Sequence, residues 1–390
     1  MTEVVIAGIG QMPVGEHWDL SLRELAFGAI LAAQEDAPGL EPQALFVANM
    51  LAPQLSHQAH IGALVADFAG LTGIEAVTIE AGGASGGAAL RAGYMAVASE
   101  QVDVALVVGA EKITEKSSSE QEDAMATGLD SDYESVQGMT LSAQAALLMQ
   151  RYQYEFSPPG SAFAGFPIIA HANSVANPNA MFHKAIRPEM YERAALVCDP
   201  LNMLDIAPWA DGSAALILTR SALLPPEYPH KLVRISGSSY VSDTLALHDR
   251  RDPLAFSAAG LSVERACSKA HITPLQVDLF ELHDAYSIYA TLSLEAAGYA
   301  QRGEGWKLAQ DGNSPAVVSL QGSLPIATLG GLKARGNPGG ATGLYQAVEA
   351  VLQLRGRAGD NQVIDARRAL IQSLSGPASA AATHVLEVLD

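Results

Sequence analysis

The chain has 390 residues, 49% of them hydrophobic and 17% charged, with 35 glycines. This length exceeds the roughly 100–200 residues of one ordinary domain, and the composition excludes a disordered chain and favours a compact α/β protein of two domains or one duplicated unit. A formal charge of -19 at pH 7 repels nucleic acid and anionic membranes, so we expect neither as a partner.

The two cysteines, Cys198 and Cys267, are too few for a disulfide framework or a cysteine-based metal site. They indicate a reducing, cytoplasmic setting and no bound metal. The N-terminus has no basic segment before its apolar residues, and no apolar run reaches the ~18 residues of a membrane-spanning helix. We therefore expect neither export nor membrane insertion.

Strands and helices alternate along the first part of the chain. Residues 3–9 form a predicted buried strand, and apolar residues at helical spacing follow at 20–34, before an Ala-Pro-Gly turn. Further strands are predicted at 45–50, 76–79 and 102–108, separated by helices at 60–68 and 86–98. This order predicts a parallel or mixed sheet covered by helices.

Residues 115–200 interrupt the alternation with a serine- and acid-rich segment and a proline-rich turn, as a cap inserted over a sheet would. A strand at 214–218 closes the first half, and the three prolines within 223–230 indicate a linker. We expect an N-terminal half at 1–225, which carries the insertion at 115–200, and a C-terminal half at 231–390.

The second half repeats the first in outline. Its opening strand, its strand at 278–282 and its glycine-led helix ATGLYQAVEAV each match a segment of the first half, as does its final apolar strand. An internal repeat of about half the chain predicts two similar sheets packed face to face, with shared helices between them. Helices that begin near Gly83 and Ala341 should point into the centre.

A strand, a Gly-Gly turn and a helix follow one another in IEAGGASGGAALRAGYMAV, which is the arrangement of a nucleophile elbow with Gly83 at its tip. Free N–H groups at such a helix start can bind an oxyanion or a thioester oxygen. Gly83 has no side chain that attacks, and the hydroxyl of Ser85 is expected to bond locally. Alternatively, the small residues only let helix and strand pack closely.

A second such turn, LKARGNPGGATGLYQ, carries Asn337, whose amide could face a ligand carbonyl or serve only as a turn residue. Between the two turns, ELHDAYSIY places His283 after an apolar strand, beside Asp284, Tyr286 and Tyr289. A lone histidine at such a place is either functional or a satisfied structural residue.

Together with DVALVVGAEKIT, HANSVANPNAMF and APWADGSAALIL, these segments resemble the thiolase superfamily, in particular its sterol-carrier-protein-type and archaeal members. The resemblance spans nearly the entire chain. It implies an α/β protein with the five-layered αβαβα thiolase fold, built of two duplicated halves with an inserted loop domain. It also implies a homodimer that binds acyl-CoA with its pantetheine arm directed at the elbow.

The reactive groups of that family are missing. Gly83 stands where the family has its nucleophilic cysteine, Ala285 where sterol-carrier-type members have an acid/base cysteine, and Asn337 where they have the histidine of Gly-His-Pro. His283 alone remains. By this resemblance Gly83, Ala285 and Gly340 should line the substrate site, and the coenzyme A thioester is expected as substrate with no further cofactor.

Three functions are open. A cysteine-independent aldolase acting on a β-hydroxyacyl-CoA needs one base and one oxyanion hole. His283 and Asn337 could form the hole, while Tyr286 or Tyr345 could transfer protons if the pKa of the phenol is lowered or if a ketone needs an acid. A non-catalytic acyl-CoA-binding homologue or scaffold, and an acetyl-CoA acetyltransferase with another nucleophile, are the alternatives.

The resemblance also extends to thiolase-like aldolases of steroid side-chain degradation, a branch of lipid metabolism, which lack the cysteines in a similar way. They act with a small partner made of a zinc ribbon and an OB-fold. Because this chain has no zinc-ribbon cysteines of its own, the resemblance implies a separate partner protein of that kind.

Overall fold

The structure is a computed structural model that describes residues 3–310 and 315–389. Its strands are β1 Val4–Gln11, β2 Ala44–Ala48, β3 Glu75–Ile79, β4 Val104–Glu111, β5 Leu196–Cys198, β6 Leu201–Asn202, β7 Gly212–Arg220, β8 Val233–Ser242, β9 Leu279–Glu281, β10 Arg368–Ser375 and β11 Ala380–Val388. Its helices are α1 Leu22–Asp36, α2 Ala52–Leu55, α3 Ile61–Phe68, α4 Ser85–Ala98, α5 Ser118–Ala126, α6 Leu141–Phe156, α7 Gly165–Ser174, α8 Pro188–Glu192, α9 Ser257–Ala270, α10 Ser287–Ala296 and α11 Thr342–Arg355.

The main sheet runs in the order β3-β2-β4-β7-β1-β8-β11-β10-β9. Strand β2 is parallel to β3 and β4, whereas β7 is antiparallel to β4 and β1. On the other side β11 is antiparallel to β8 and β10, and β10 is parallel to β9. Within the described residues, the two sides of the sheet join where Val5 and Ile6 pair with Arg234 and Val233. Both sides follow the same pattern from this junction outwards. The first strand of each half, β1 or β8, is followed by the last strand of that half, β7 or β11, and then by the strands that pair in parallel.

Helices α4 and α11 contact each other between the two parts of the sheet, and α1, α3 and α9 cover the outer faces. The central pair approaches closely because glycines lie at the crossing: a Cβ on Gly86 would lie 2.8 Å from the nitrogen of Gly343. Both helices begin next to the glycine turns, at Ser85 and Thr342. The predicted layered α/β fold is confirmed, while the domain boundaries remain a prediction.

Local sequence explains these elements. Helix α1 begins at a capping box in which Ser21 and Glu24 each bond the other's backbone nitrogen, and its buried residues recur at three- and four-residue spacing. Strand β4 is buried along its whole length, as expected of a strand covered by helices on both faces. Among the described residues, no helix is long and apolar enough to cross a membrane.

The segment between β4 and β7 carries α5 to α8 and the β5–β6 hairpin. Apolar residues of α5 and α6, including Met125, Leu141 and Leu148, form one core cluster with Ala285, Tyr286 and Tyr289 at the start of α10. These inserted helices therefore cover the region in which the motif residues lie.

Candidate active site

The turns before α4, α10 and α11 meet at a small cavity. Its volume is about 30 Å³, room for roughly two water molecules. The lining residues are Met50, Gly82, Gly83, Met125, Gly128, Leu141, Trp209, His283, Ala285, Tyr286, Tyr289, Asn337, Gly339, Leu374, Ser375 and Gly376. Five predicted site residues thus lie together, whereas Gly340 and Tyr345 are absent from this wall.

The elbow has no room for a side chain at Gly83. A Cβ built there would lie 2.5 Å from the carbonyl oxygen of Leu374 in β10 and 3.3 Å from Cε1 of His283. The first distance is well inside van der Waals contact with a backbone atom, so a cysteine would require β10 or the turn to move. The backbone at this turn is packed around glycine.

Other candidate nucleophiles are excluded by their surroundings. The hydroxyl of Ser85 donates to the carbonyl of Gly82 at 2.6 Å and accepts from the nitrogen of Ala81 at 2.8 Å, which confirms its predicted local bonding. Neither cysteine lines the cavity. Cys267 is buried in α9, and burial raises the pKa of its thiol to about 11, so the reactive thiolate is disfavoured.

His283 presents its Cε1–Nε2 edge to Gly83: a Cβ on that glycine would lie 3.7 Å from Nε2. Only 5% of the residue is exposed. Burial, reinforced by the charge of Arg335, lowers the pKa of the imidazole to about 3, so the ring is neutral near pH 7. A neutral imidazole with a proton on Nε2 can donate a hydrogen bond into the cavity.

Asn337 is held in place from several directions. Its nitrogen donates to the carbonyl of Pro208 at 2.9 Å, and its carbonyl accepts from the nitrogen of Ala210 at 3.1 Å. The side-chain Oδ1 accepts a hydrogen bond from the hydroxyl of Thr342 at 2.9 Å. This bond fixes the orientation of the amide, whose nitrogen carries the hydrogens that can be donated to a ligand.

Two tyrosines of the ELHDAYSIY motif line the cavity. The hydroxyl of Tyr286 lies 3.2 Å from Oγ of Ser142, and burial raises the pKa of this phenol above its ordinary value. The option of a lowered phenol pKa is therefore wrong for Tyr286, which is a proton donor near pH 7. Tyr289, not among the predicted catalytic residues, has a buried hydroxyl without a hydrogen-bond partner among the described residues.

Tyr345 and Gly340 face other parts of the molecule. The hydroxyl of Tyr345 donates to the carbonyl of Met12 at 2.8 Å, because its position on α11 directs it towards β1 rather than the cavity. The nitrogen of Gly340 donates to Glu111 at 3.0 Å. Neither contributes to the cavity wall, where Gly339 takes the place expected for Gly340.

Glu111, at the end of β4, was not predicted from the sequence. Its carboxylate accepts from the side chain of Asn49 at 2.9 Å and from the backbone nitrogens of Met50, Leu51 and Gly340 at 2.8, 3.1 and 3.0 Å. Burial raises its pKa to about 7, and these hydrogen bonds oppose the rise. These four hydrogen bonds occupy the acceptor positions of both carboxylate oxygens and hold the backbone around Met50 in place. We therefore regard Glu111 as a structural group of the cavity wall.

A buried ion pair lies outside the cavity wall. A π-helix, Gly331–Arg335, carries the fully buried Arg335, which forms an ion pair with Glu349 of α11. Nothing in the local sequence pattern marks Arg335 as buried. Among the described residues, no group of three or more His, Cys, Asp or Glu side chains could hold a metal ion.

Comparison with known proteins agrees with the fold. The family described as thiolase, N-terminal domain, matches residues 4–222, and the thiolase C-terminal domain-like family matches 239–388. An acetyl-CoA acetyltransferase of Methanothermobacter thermautotrophicus is 39% identical over 99% of both chains. Sterol carrier protein 2 of Bos taurus is 28% identical over 77% of this chain and 57% of its own.

A solved structure, the Ltp2-ChsH2(DUF35) aldolase, has a similar fold. Its TM-score is 0.84 at 23% identity, and the match covers 99% of this chain and 98% of that one. At this level of identity the likeness concerns the fold alone.

Proposed function

Because this chain belongs to the thiolase superfamily, we propose that it is a thiolase-type enzyme that works without cysteine, as an aldolase acting on a β-hydroxyacyl-CoA. One observation carries the proposal: the cavity keeps two neutral hydrogen-bond donors, His283 and Asn337, beside a turn with no space for a nucleophile at Gly83. Such a site can stabilise a negative oxygen but cannot form an acyl-enzyme.

Aldol cleavage needs only these parts. The β-hydroxyl loses its proton to a base, the bond between Cα and Cβ breaks, and a ketone or aldehyde leaves. The electron pair of that bond becomes an enolate, whose charge lies largely on the thioester oxygen. Nε2–H of His283 and the amide of Asn337 would stabilise that oxygen, and protonation at Cα then gives the shorter acyl-CoA.

The proton-transfer group we favour is Tyr286. Its neutral phenol supports donation to a carbonyl oxygen when the carbon–carbon bond forms. In cleavage the phenol would take the proton of the β-hydroxyl while it passes its own proton on, through Ser142 or water, to the solvent. Besides burial, the charge of Glu122 contributes to the raised pKa of Tyr286 and so favours the neutral phenol. Tyr289 is a second phenol beside the same space.

Acetyl transfer is the second candidate, because the relative that matches the full chain at 39% identity is named an acetyl-CoA acetyltransferase. The burial of Cys267 and the packing at Gly83 count against it. A non-catalytic acyl-CoA-binding protein would use the same cavity without turnover.

Two observations support the proposed partners. The solved aldolase of similar fold is named as a pair, Ltp2 with ChsH2(DUF35), which supports a separate partner protein of the zinc-ribbon and OB-fold kind for this chain. The edge strand β3 exposes Val77 at 46%, and such an unpaired apolar edge supports a homodimer. By the same analogy, we propose CoA esters of steroid side chains as substrates of this chain.

A panel of β-hydroxyacyl-CoA esters, including bulky tertiary alcohols, tests the proposal. We expect release of a ketone and a shorter acyl-CoA, measured by mass spectrometry with and without an OB-fold partner. Incubation with acetoacetyl-CoA and free CoA should give no thiolysis above background. Thiolysis that survives Cys198→Ala and Cys267→Ala would contradict the proposal, and tight binding of every ester without cleavage would favour the non-catalytic alternative.

A further inference from the structure

The end of strand β10 supplies a hydroxyl group to the cavity. Ser375, the last residue of β10, is half-buried and lines the cavity between Leu374 and Gly376. Its backbone is fixed, because its carbonyl accepts from the nitrogen and from the hydroxyl of Ser379 at 3.0 and 3.1 Å. Its own hydroxyl forms no hydrogen bond within residues 3–310 and 315–389. No step of the aldol cleavage proposed above uses this hydroxyl.

Contacts on two sides place Ser375 within the cavity. On the elbow side, a Cβ built on Gly82 would overlap Oγ of Ser375 and would lie 3.2 Å from its Cβ. On the other side, a Cβ built on Gly376 would lie 3.6 Å from Cδ2 of Leu141, in the first turn of α6. The hydroxyl of Tyr286 lies 3.2 Å from the next side chain of α6. Ser375 therefore lies between the elbow and the part of α6 that contacts Tyr286.

The size of the cavity limits what its polar groups can bind. A volume of about 30 Å³ has room for roughly two water molecules, which means two neighbouring oxygen positions. A thioester with an oxygen on its β-carbon carries two such oxygens, and a bent acyl chain brings them to neighbouring positions. His283 and Asn337 are the donors for the thioester oxygen. The β-oxygen then needs a donor elsewhere in the cavity wall.

We propose that Ser375 contacts the substrate and that its hydroxyl donates a hydrogen bond to the β-oxygen of the acyl group. The catalytic consequence rests on the proposed aldolase function. The β-oxygen is a hydroxyl in the ester and a carbonyl in the released ketone, and it can accept a hydrogen bond in both states. Ser375 therefore holds the β-carbon in place while Tyr286 exchanges a proton with the same oxygen. The site selects thioesters that carry a β-oxygen, because without it the hydroxyl stays unpaired.

Acetoacetyl-CoA and butyryl-CoA test this contact without turnover. Both acyl groups have four carbons, but only the first carries a β-oxygen. In the absence of free CoA thiolysis cannot occur, and neither ester has the β-hydroxyl that aldol cleavage needs. By isothermal titration calorimetry, the wild-type protein should bind acetoacetyl-CoA about five- to tenfold more tightly. Ser375→Ala should remove most of this difference by weakening acetoacetyl-CoA, with the affinity for butyryl-CoA within about twofold of the wild type.

Ser373→Ala is the matched control on the same strand. Ser373 is 1% exposed and packs against the central helices, since Cβ atoms built on Gly87 and Gly343 would lie 2.5 and 2.9 Å from its Oγ. It does not line the cavity, so both affinities should be unchanged. Ser375→Ala breaks no side-chain hydrogen bond among the described residues and should fold normally, as circular dichroism can check.

Equal affinities of the wild-type protein for the two esters, or no binding of either, would overturn the proposal whether or not the variant folds. An unchanged preference in the folded Ser375→Ala protein would also overturn it. With an active substrate, this variant should raise KM by about tenfold with a smaller change in kcat, unlike the loss of a proton-transfer group. If no ester is cleaved but the preference disappears in Ser375→Ala, the aldolase proposal fails and the contact of Ser375 stands.

Discussion

The two glycine-rich turns reach the same cavity but are built in opposite ways. At the first turn Gly83 has no side chain, and the carbonyl of Leu374 occupies the space around it. At the second turn Asn337 keeps a polar side chain, whose orientation Thr342 fixes. The first turn therefore forms part of the cavity wall, whereas the second turn supplies a hydrogen-bond donor. This division is what a site needs to hold a negative oxygen, and it is unsuited to attack on a carbonyl.

Of the changes made in the two turns themselves, the largest effect is expected from removing the donor of the second turn. Asn337→Ala should lower kcat for aldol turnover by ~10²–10³ with little change in KM, the range for a lost oxyanion-hole donor. Asn177→Ala is a control of the same residue type, since Asn177 is buried but bonds the carbonyl of Leu329. An Asn337→Ala enzyme with wild-type kcat would contradict the role of Asn337 as a hydrogen-bond donor to the substrate.

Adding a side chain to the first turn should cost stability. Gly83→Cys is expected to lower the free energy of unfolding by ~1–3 kcal/mol, as overpacking does, and to restore no thiolase activity. Gly128→Ala at the same cavity should cost less, because a Cβ there meets no atom closer than 3.4 Å. Urea unfolding measures both. A Gly83→Cys protein of wild-type stability that cleaves acetoacetyl-CoA would show that the turn still accepts a nucleophile.

The neutrality of His283 predicts a pH dependence of stability. Its folded-state pKa is about 3 against an ordinary 6.5, so the unfolded chain binds more protons between these values. The contribution of this group to stability is complete above pH 6.5 and is lost as the pH falls towards 3, at up to ~1.4 kcal/mol per pH unit. His283→Asn should flatten this part of the curve in urea titrations at pH 4 to 7. Equal slopes in both proteins would contradict a neutral buried ring.

The smallest effect should come from Tyr345, near the second turn but outside the cavity. Tyr345→Phe removes the hydrogen bond to Met12 and should lower stability by about 0.5–1.5 kcal/mol while kcat is nearly unchanged. Tyr286→Phe is the contrasting variant, with intact packing and an expected loss of ~10²–10⁴ in kcat. Loss of turnover in Tyr345→Phe with retention in Tyr286→Phe would reverse the assignment of the two tyrosines.

Much of the fold followed from local sequence patterns. Apolar periodicity located β1, α1, β2, α3 and β4 within a few residues, because the buried face of each element recurs at its own spacing. The glycine turns marked where α4 and α11 begin, since only small residues allow two helices to cross so closely. The resemblance to the thiolase superfamily also implied that Gly83, His283 and Asn337 belong to one site.

Only the tertiary structure decided which neighbours of those residues face the cavity. Tyr345 and Gly340 lie within the second motif but bond to Met12 and Glu111, which are distant in sequence. A side chain's direction depends on how its helix is rotated against its neighbours, and a short motif does not encode that rotation. The sequence by itself identified the reactive residues that are missing from the site, because a missing side chain can be read from its position in a motif. The burial of Arg335 in an ion pair with Glu349 was decided by tertiary packing alone, because the two residues belong to different elements.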